Sequence, residues 1–268
     1  MKKLFLLCAI VMNCALRANC ADPATPDAKK VQGIYQLCAK NPENGKTICM
    51  PLWKIYDSDG TFVIFTSAFN ASSASSATCS GTYEVRPDGV IVENIEAASN
   101  GFRKGDKNNL AYSIDGEIMT VSFTNKVQRK VSETWFRVCG SVDAERDAKS
   151  AKRAVKYGLA GLWQLRIKMP NGKYAYVPIY KNLGADGTFT LMNAMGERAK
   201  AASQGRYEAS SKKSYTEFVT ATSTDPDLLD RGNAMKWKRV DGDVIQVTFR
   251  MPSRSHDTVE EWTRVVLP

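Results

Sequence analysis

Histidine is almost missing from this sequence: His256 is the only one among 268 residues. Nucleophilic catalysis that relies on a histidine base, and zinc sites built from histidine clusters, would both have to use that one side chain. It lies in Ser253–Asp257, a hairpin turn by position, where we expect it to be exposed. The scarcity argues against histidine-dependent catalysis and zinc binding, and we predict no catalytic residue, metal site or cofactor.

Long apolar runs are missing after residue 21, so the sequence predicts no membrane-spanning helix beyond that point. Residues 1–21 predict a secretory signal peptide, because two lysines precede the apolar stretch Leu4–Met12, which is too short to cross a bilayer. Cys20 also fits a lipid anchor, but Asn19 before it is larger than such sites prefer. Plain export to the periplasm, cell surface or medium is the favoured interpretation.

Cysteine is absent after residue 139. Four cysteines follow the predicted signal peptide: Cys38, Cys49, Cys79 and Cys139. An even number in an exported chain predicts disulfides. We expect Cys38 to bridge Cys49 across a hairpin, which leaves Cys79 to bridge Cys139.

Dense basic blocks with interleaved aromatic residues are also absent, so no nucleic-acid partner is predicted. The formal charge is +9, and removing the three basic residues of the predicted signal peptide leaves +6. Residues 31–140 hold 11 basic and 11 acidic side chains, whereas residues 161–268 hold 16 and 12. A mildly basic solvated surface is the favoured interpretation of the second half, and an acidic partner is the alternative.

The sequence is rich in self-similarity. Four blocks recur in the same order with offsets of 126 to 128 residues, which predicts a tandem duplication of one small domain. The paired blocks are Gly33–Leu37 with Gly161–Leu165, Asp59–Phe62 with Asp186–Phe189, Asp115–Phe123 with Asp241–Phe249, and Trp135–Val138 with Trp262–Val265. The predicted boundaries are a signal peptide at 1–21, a flexible leader at 22–30, repeat 1 at 31–140, a connector at 141–158 and repeat 2 at 159–268.

Each repeat is predicted to be all-β. Eight short strands alternate with tight turns, several of them marked by Asp-Gly, and Met119, Val121 and Phe123 fall on one face of a strand. Sequential strands of this kind predict a small up-and-down β-barrel, which leaves no unpaired edge, with a β-sandwich as the alternative. The Ala-rich, charged connector predicts a short exposed helix between the two barrels.

The first and last blocks resemble the signature of a lipocalin-like (calycin) domain. In that family a Gly-x-Trp opens the first strand, and an arginine near the last strand packs across the tryptophan. Gly161–Trp163 with Arg264 is similar to that pair, and Gly33–Tyr35 with Arg137 is similar to a variant with tyrosine. The repeats also resemble short lipocalin-like domains of unknown function in exported bacterial proteins. The resemblance covers about four fifths of the chain and implies a barrel that binds a small ligand.

The Trp-x-Arg of each last strand places both side chains on one face. One interpretation puts the arginine in the barrel mouth, where its fork would receive a ligand carboxylate. The favoured alternative stacks the arginine on the first-strand aromatic, so that Arg264 lies over the ring of Trp163 and plugs one end. The candidate ligand-binding residues are Tyr35, Trp135, Arg137, Trp163, Trp262 and Arg264.

Further aromatic residues and two long loops are weaker candidates. Trp53, Tyr56, Tyr180 and Trp237 could line a pocket, although strand aromatics more often pack in a core. The loops at 67–78 and 194–203 could act as lids over the barrels, although surface filler is the favoured interpretation of their composition.

Three functions follow from these observations. The leading hypothesis is an exported, non-enzymatic protein that binds a small apolar or amphipathic ligand. The second is a structural or interaction module of the bacterial cell envelope with filled barrels. The third is a carboxylate-dependent hydrolase, which needs two carboxylates about 5–10 Å apart in a cleft.

Overall fold

The computed structural model describes residues 26–41, 43–67, 72–125, 127–142, 147–229 and 231–266. The predicted signal peptide and Cys20 therefore lie outside the described residues, as do residues 22–25 of the leader and 143–146 of the connector. No helix in the described part of the chain is long and apolar enough to cross a membrane.

Repeat 1 begins with a short helix and continues with eight strands. Its elements are α1 Pro26–Val31, β1 Gly33–Lys40, β2 Thr47–Tyr56, β3 Thr61–Thr66, β4 Ser76–Arg86, β5 Val90–Ala98, β6 Lys107–Asp115, β7 Ile118–Thr124 and β8 Lys130–Gly140.

Repeat 2 repeats this order. Its elements are α2 Ala148–Tyr157, β9 Gly161–Lys168, β10 Tyr174–Leu183, β11 Thr188–Asn193, β12 Lys200–Ser211, β13 Ser214–Thr222, a 3₁₀ helix Pro226–Leu228, β14 Gly232–Asp241, β15 Val244–Phe249 and β16 Thr258–Arg264.

Both repeats are closed antiparallel barrels in which each strand pairs with the next and the last pairs with the first. In repeat 1, β1 pairs with β2 and β8, and in repeat 2, β9 pairs with β10 and β16. The predicted pair of eight-stranded up-and-down barrels is confirmed. The Asp-Gly turns act as expected, because Gly60 has φ 81° and Asp59 accepts the backbone N–H of Thr61 at 3.0 Å.

One helix covers an end of each barrel. The predicted connector helix is confirmed as α2, which is capped by the Asp147 side chain at its start and by left-handed Gly158 at its end. It is not simply exposed, because Ser150, Ala151 and Ala154 are buried and the helix packs against β12. The counterpart α1 lies in the segment that the sequence predicts as a flexible leader.

Three separate apolar clusters hold the molecule together. One fills repeat 1, another fills repeat 2, and the third lies between the barrels. Trp53 of repeat 1 and Tyr180 of repeat 2 meet in the third cluster with their ring centres 5.9 Å apart. Each barrel thus has its own core, and outward-facing residues of both barrels form an additional buried interface.

The glutamine of each first-strand block crosses this interface reciprocally. The Gln36 side-chain oxygen accepts the backbone N–H of Ala199 at 2.8 Å, and that of Gln164 accepts the N–H of Ser75 at 2.7 Å. Both glutamines also donate to a backbone carbonyl of their own barrel, at 3.0 and 3.2 Å. Parts of the loops at 67–78 and 194–203, which we considered as lids or surface filler, therefore serve the contact between barrels.

The disulfide predictions are half right. Cys38 and Cys49 are bridged across β1 and β2, with an S–S distance of 1.99 Å. Cys79 and Cys139 are both free and buried, so the predicted second bridge is wrong. The reason is that Cys79 belongs to the interior cluster of repeat 1, whereas Cys139 belongs to the cluster between the barrels.

Candidate functional site

Arg264 lies over Trp163 at the end of repeat 2 that α2 covers, which confirms the predicted stacking. The guanidinium carbon is 4.2 Å from the centre of the indole ring. Its Nη1 donates to the carbonyl of Ala160 at 2.9 Å, and Nη2 donates to the carbonyl of Gly158. A cation is favoured where helix carbonyls end, so Arg264 holds the end of α2 over the barrel. Burial, and then the nearby Arg239, lower the pKa of this guanidinium.

Arg137 has the corresponding position in repeat 1. Its guanidinium carbon is 5.3 Å from the centre of the Tyr35 ring, and its Nη2 donates to the Tyr35 hydroxyl at 2.8 Å. Nη2 also donates to the carbonyl of Lys30 at the end of α1, and the Tyr35 hydroxyl donates to the carbonyl of Val31 at 2.9 Å. Both arginines therefore bind helix ends, which favours the packing interpretation over carboxylate binding.

The glycine that opens each first strand is explained by its surroundings. Gly33 and Gly161 have φ of 142° and 140°, where residues with a Cβ are disfavoured. A Cβ on Gly161 would collide with the Arg264 guanidinium, and one on Gly33 would collide with the Cys139 carbonyl. The Gly-x-Trp and Gly-x-Tyr motifs thus allow the last strand to approach the first.

Each barrel buries an ion pair that was not predicted from the sequence. Lys54 Nζ lies 2.8 Å from Glu93 Oε1, and Lys181 Nζ lies 2.8 Å from Glu217 Oε1. The exposed fractions are 3% and 1% for the first pair and 7% for each member of the second. Lys54 and Lys181 are equivalent positions of the two repeats, as are Glu93 and Glu217. Both repeats therefore retain the same buried ion pair.

The predicted tryptophans Trp135 and Trp262 lie beside these two buried ion pairs. Lys54 Nζ is 4.9 Å from the Trp135 ring centre, and Lys181 Nζ is 5.3 Å from that of Trp262, so each ring face stabilises an ammonium group. The indole Nε1 of Trp262 donates to Glu260 at 3.1 Å. Burial raises the pKa of Glu260, although Lys181 opposes this effect. The apolar interior of each barrel therefore contains one shielded ion pair beside aromatic rings.

The tyrosine near each buried glutamate comes from a different strand in the two repeats. In repeat 1 the Tyr56 hydroxyl donates to Glu93 at 2.6 Å. The equivalent residue of repeat 2 is Leu183, and there Tyr215 occupies the position of Ile91 instead. Burial, and then the Glu217 carboxylate, raise the pKa of Tyr215 far above its ordinary value. The two barrels thus contain the same groups near the glutamate in different arrangements.

Side chains fill both barrels around these clusters. Tyr35, Ile91, Met119 and Val121 in repeat 1, and Trp163 in repeat 2, have no accessible surface. A side chain without accessible surface borders no void that could hold a water molecule. The described interior positions therefore leave no deep ligand chamber around the predicted Arg–aromatic pairs.

An open pocket of about 880 Å³ lies instead at the mouth of repeat 1, at the barrel end opposite α1. Its walls are the loop between β5 and β6 and the loop between β7 and β8. Asn108 connects it to the interior, because this residue lines the pocket and its Nδ2 donates to Glu93 at 3.1 Å. The lining residues are Asn100, Gly101, Phe102, Arg103, Asp106, Lys107, Asn108, Phe123, Thr124, Asn125, Val127 and Gln128.

Comparison with known proteins assigns both halves to one family. The profile of the family described as Domain of unknown function (DUF4488) matches residues 30–144 and again residues 158–268. The chain belongs to the DUF4488 family. No curated protein matches the sequence. The two matches coincide with the two barrels, so one barrel is one DUF4488 domain.

The second DUF4488 domain closes the mouth that the first leaves open. Its loop between β13 and β14 contains the 3₁₀ helix, from which Leu228 enters the interior cluster and is buried. Leu229 forms an isolated bridge with Val219 and fixes this loop to the barrel wall. In the first domain the corresponding loop has Phe102, which is only partly buried.

The other predicted aromatic residues do not form one pocket. Trp53 and Tyr180 meet between the two DUF4488 domains, Tyr56 lies inside the first and Trp237 lies inside the second. All four are buried, so they serve three different packing regions.

The described chemistry does not single out a hydrolytic centre. His256 is exposed, as expected. Glu217 and Glu260 both approach Lys181, but Glu217 is buried in the filled barrel of the second DUF4488 domain rather than placed in a cleft. Among the described residues, no group of three or more histidine, cysteine or acidic side chains could hold a metal ion.

Proposed function

We propose that this protein is an exported, non-enzymatic binding protein that takes a small amphipathic molecule at the mouth of repeat 1. The pocket of about 880 Å³ at that mouth carries the proposal, because it falls in the size range of small-molecule sites. The resemblance to lipocalin-like domains supports it. Export is supported by the Cys38–Cys49 disulfide, because disulfides persist in oxidising compartments.

The pocket walls suit a ligand with an apolar body and an anionic group. Phe102, Phe123 and Val127 offer apolar surface, and Val127 is 71% exposed. Arg103 and Lys107 contribute exposed cations at the same pocket. An alkyl chain would pack on the rings, while a carboxylate would approach the cations.

The closed interior supports binding without catalysis. Lys54 and Glu93 are the strongest acid–base candidates in repeat 1, yet their side chains are almost fully enclosed. A general base must lie within hydrogen-bonding distance of the proton it removes. A solute in the mouth would meet Asn108 before it met either charge.

Titration with dodecanoate, with dodecanol as the uncharged comparison, tests the proposal. We expect saturable binding by calorimetry and a change in tryptophan fluorescence, with dodecanoate binding more tightly than dodecanol. The variant Val127→Glu should weaken dodecanoate binding by about tenfold, because it adds a like charge at an apolar contact. Ser253→Glu, at the corresponding loop of repeat 2, is the matched control and should bind like the wild type.

Absence of saturable dodecanoate binding at millimolar concentration, or equal loss in the two variants, would overturn the mouth of repeat 1 as the site. The second candidate function, an interaction module with filled barrels, would then be favoured. Its supporting observation is the lack of accessible surface at the interior positions. In that case function would lie on the outer faces, and neither mouth variant would alter it.

A further inference from the structure

Three lysines converge on the outer face of repeat 2. Lys213 lies in the turn before β13, and Lys236 and Lys238 point outward from β14. With Ser214, Gln246 and Thr248 they border a surface pocket of about 460 Å³, and we call these six residues the basic face. All three lysines are exposed. Because Lys236 and Lys238 are two residues apart on a strand, their stems leave the sheet about 7 Å from each other.

These charges are not neutralised by the molecule itself. In the described part of the chain, no carboxylate lies within 4 Å of the ammonium groups of Lys213, Lys236 or Lys238. The acidic neighbour that reaches the basic face is Glu261, which contacts Gln246 at 3.4 Å and is paired with Arg166 at 3.0 Å. The three ammonium groups are thus available to an external anion.

Repeat 1 lacks this feature although its strands have the same register. Ser214 pairs with Lys236 in repeat 2 as Val90 pairs with Ala111 in repeat 1. The backbone N–H of Trp237 donates to the carbonyl of Lys213, as the backbone N–H of Tyr112 donates to the carbonyl of Gly89. The three lysines therefore replace Gly89, Ala111 and Ser113. The fold does not need them, since the same barrel forms without them.

We propose that the basic face binds an acidic polysaccharide. Lysine ammonium groups act as point charges, which suits carboxylates repeated along a chain. The hydroxyl and amide groups of Ser214, Gln246 and Thr248 can exchange hydrogen bonds with sugar hydroxyls. Single-stranded nucleic acid is disfavoured because it needs aromatic platforms for its bases. Trp237, the aromatic residue at this pocket, is only 6% exposed.

Binding of the whole protein to polygalacturonate, with neutral dextran as the uncharged comparison, tests the proposal. We expect saturable binding to polygalacturonate that weakens as salt is added, and none to dextran. The triple variant Lys213→Gln, Lys236→Gln, Lys238→Gln should bind polygalacturonate about tenfold more weakly. The reason is that it removes three exposed charge contacts, each of modest strength.

A matched control separates the basic face from net charge. Lys149→Gln, Lys152→Gln, Lys156→Gln removes the same charge from exposed positions of α2 and should change affinity by less than about threefold. In the background of the basic-face triple variant, Ala111→Lys with Ser113→Lys should restore part of the binding on repeat 1.

Equal losses in the two triple variants would overturn the proposal, because net charge alone would then explain binding. Tighter binding of oligothymidylate, or of phosphatidylglycerol vesicles, through the same lysines would also overturn it and assign the face to nucleic acid or to a lipid surface. The dodecanoate titration is independent, because the mouth of repeat 1 and the basic face share no residue.

Discussion

Lys54 and Glu93 place opposite charges where water cannot reach them. Desolvation of two ions is costly, and their attraction offsets this cost only when the remaining hydrogen-bonding groups are satisfied. Glu93 meets that condition, because it accepts from Lys54, Tyr56 and Asn108. Loss of one charge should therefore matter more than loss of both.

Replacement of Lys54 by methionine should destabilise the protein by about 3–5 kcal/mol, since it leaves Glu93 charged and buried. The double variant Lys54→Met, Glu93→Gln should recover most of this loss, because glutamine keeps an acceptor for Tyr56 without the charge. Urea titration gives both free energies of unfolding. Exposed Lys149→Met is the control and should be close to neutral. If Lys54→Met were as stable as Lys149→Met, an unpaired Glu93 would not be costly to the folded protein.

The residues of the Arg–aromatic contact were predictable, and the buried pairs were missed. Arg264 could be placed over Trp163 because the repeats resemble lipocalin-like domains, in which such an arginine packs across the first-strand tryptophan, and strand parity puts Trp262 and Arg264 on one face. A signal for the pairs was present, since Lys54 and Lys181 interrupt the apolar alternation at the same point of the repeat. A lysine on a strand is usually exposed, so composition alone favours the wrong face.

At the scale of elements, the helix before each barrel belongs to the folding unit. Both helices end against an arginine of the last strand, Arg137 for α1 and Arg264 for α2. The Ala-rich composition predicts α2 because it lacks proline and glycine, whereas Pro26 and small polar residues hide α1. What places both helices is tertiary contact with the barrel, which propensity does not report.

Replacement of Arg264 by methionine should loosen α2 from repeat 2. The change removes the contact with Trp163 and two hydrogen bonds, so we expect a loss of about 1–3 kcal/mol. Hydrogen exchange should accelerate in residues 148–157 more than in the strands. Arg250→Met, whose side chain is exposed, is the control. Unchanged exchange in α2 would show that the arginine does not hold the helix.

The unpaired state of Cys79 and Cys139 could not be predicted from single strands or hairpins. A bridge between Cys38 and Cys49 follows from one hairpin, whose register local sequence defines. Cys79 faces inward together with Tyr83 on β4, whereas a β-bulge on β8, where Ile34 and Tyr35 pair with Cys139 and Arg137, places Cys139 on the outer face. A bulge changes which face a side chain joins, and the repeat pattern does not reveal it.

At the scale of the whole molecule, the interface between the barrels contains a carboxylate with a perturbed pKa. Asp57 of repeat 1 accepts a hydrogen bond from Asn182 of repeat 2 at 2.9 Å. Burial, and then the nearby Asp59 and Asp186, raise the pKa of Asp57 well above its ordinary value of 3.8, whereas Asn182 lowers it. The folded state therefore holds this proton more strongly than the unfolded chain. The contribution of Asp57 favours folding at low pH and becomes unfavourable as pH rises through the raised pKa.

The variant Asp57→Asn should consequently be more stable than the wild type at neutral pH. The difference should shrink as pH falls towards the ordinary carboxyl pKa, because the wild-type group is then protonated in both states. Thermal unfolding across this pH range measures the effect. Asp88→Asn, at an exposed turn, should leave the pH dependence unchanged. If Asp57→Asn were less stable than the wild type at neutral pH, the predicted direction of the Asp57 effect on stability would be wrong.

The interface itself could not be predicted from the repeat. Its residues, such as Trp53, Phe65 and Met192, occupy outward-facing strand positions, where an apolar side chain can be exposed or can meet a partner. The repeated blocks place Gln36 and Gln164 in equivalent positions, but sequence alone does not state which loop each one reaches.

Fusion of the two barrels into one polypeptide removes a restriction that an assembly of identical chains would impose. In a symmetric pair of separate subunits, every substitution appears twice, so a loop that blocks one opening must block the other. Here Leu228 can seal one barrel while Phe102 leaves its neighbour accessible, and lysines can accumulate on a single flank. The reciprocal contacts of Gln36 and Gln164 are retained, while the other surfaces of the two barrels can differ.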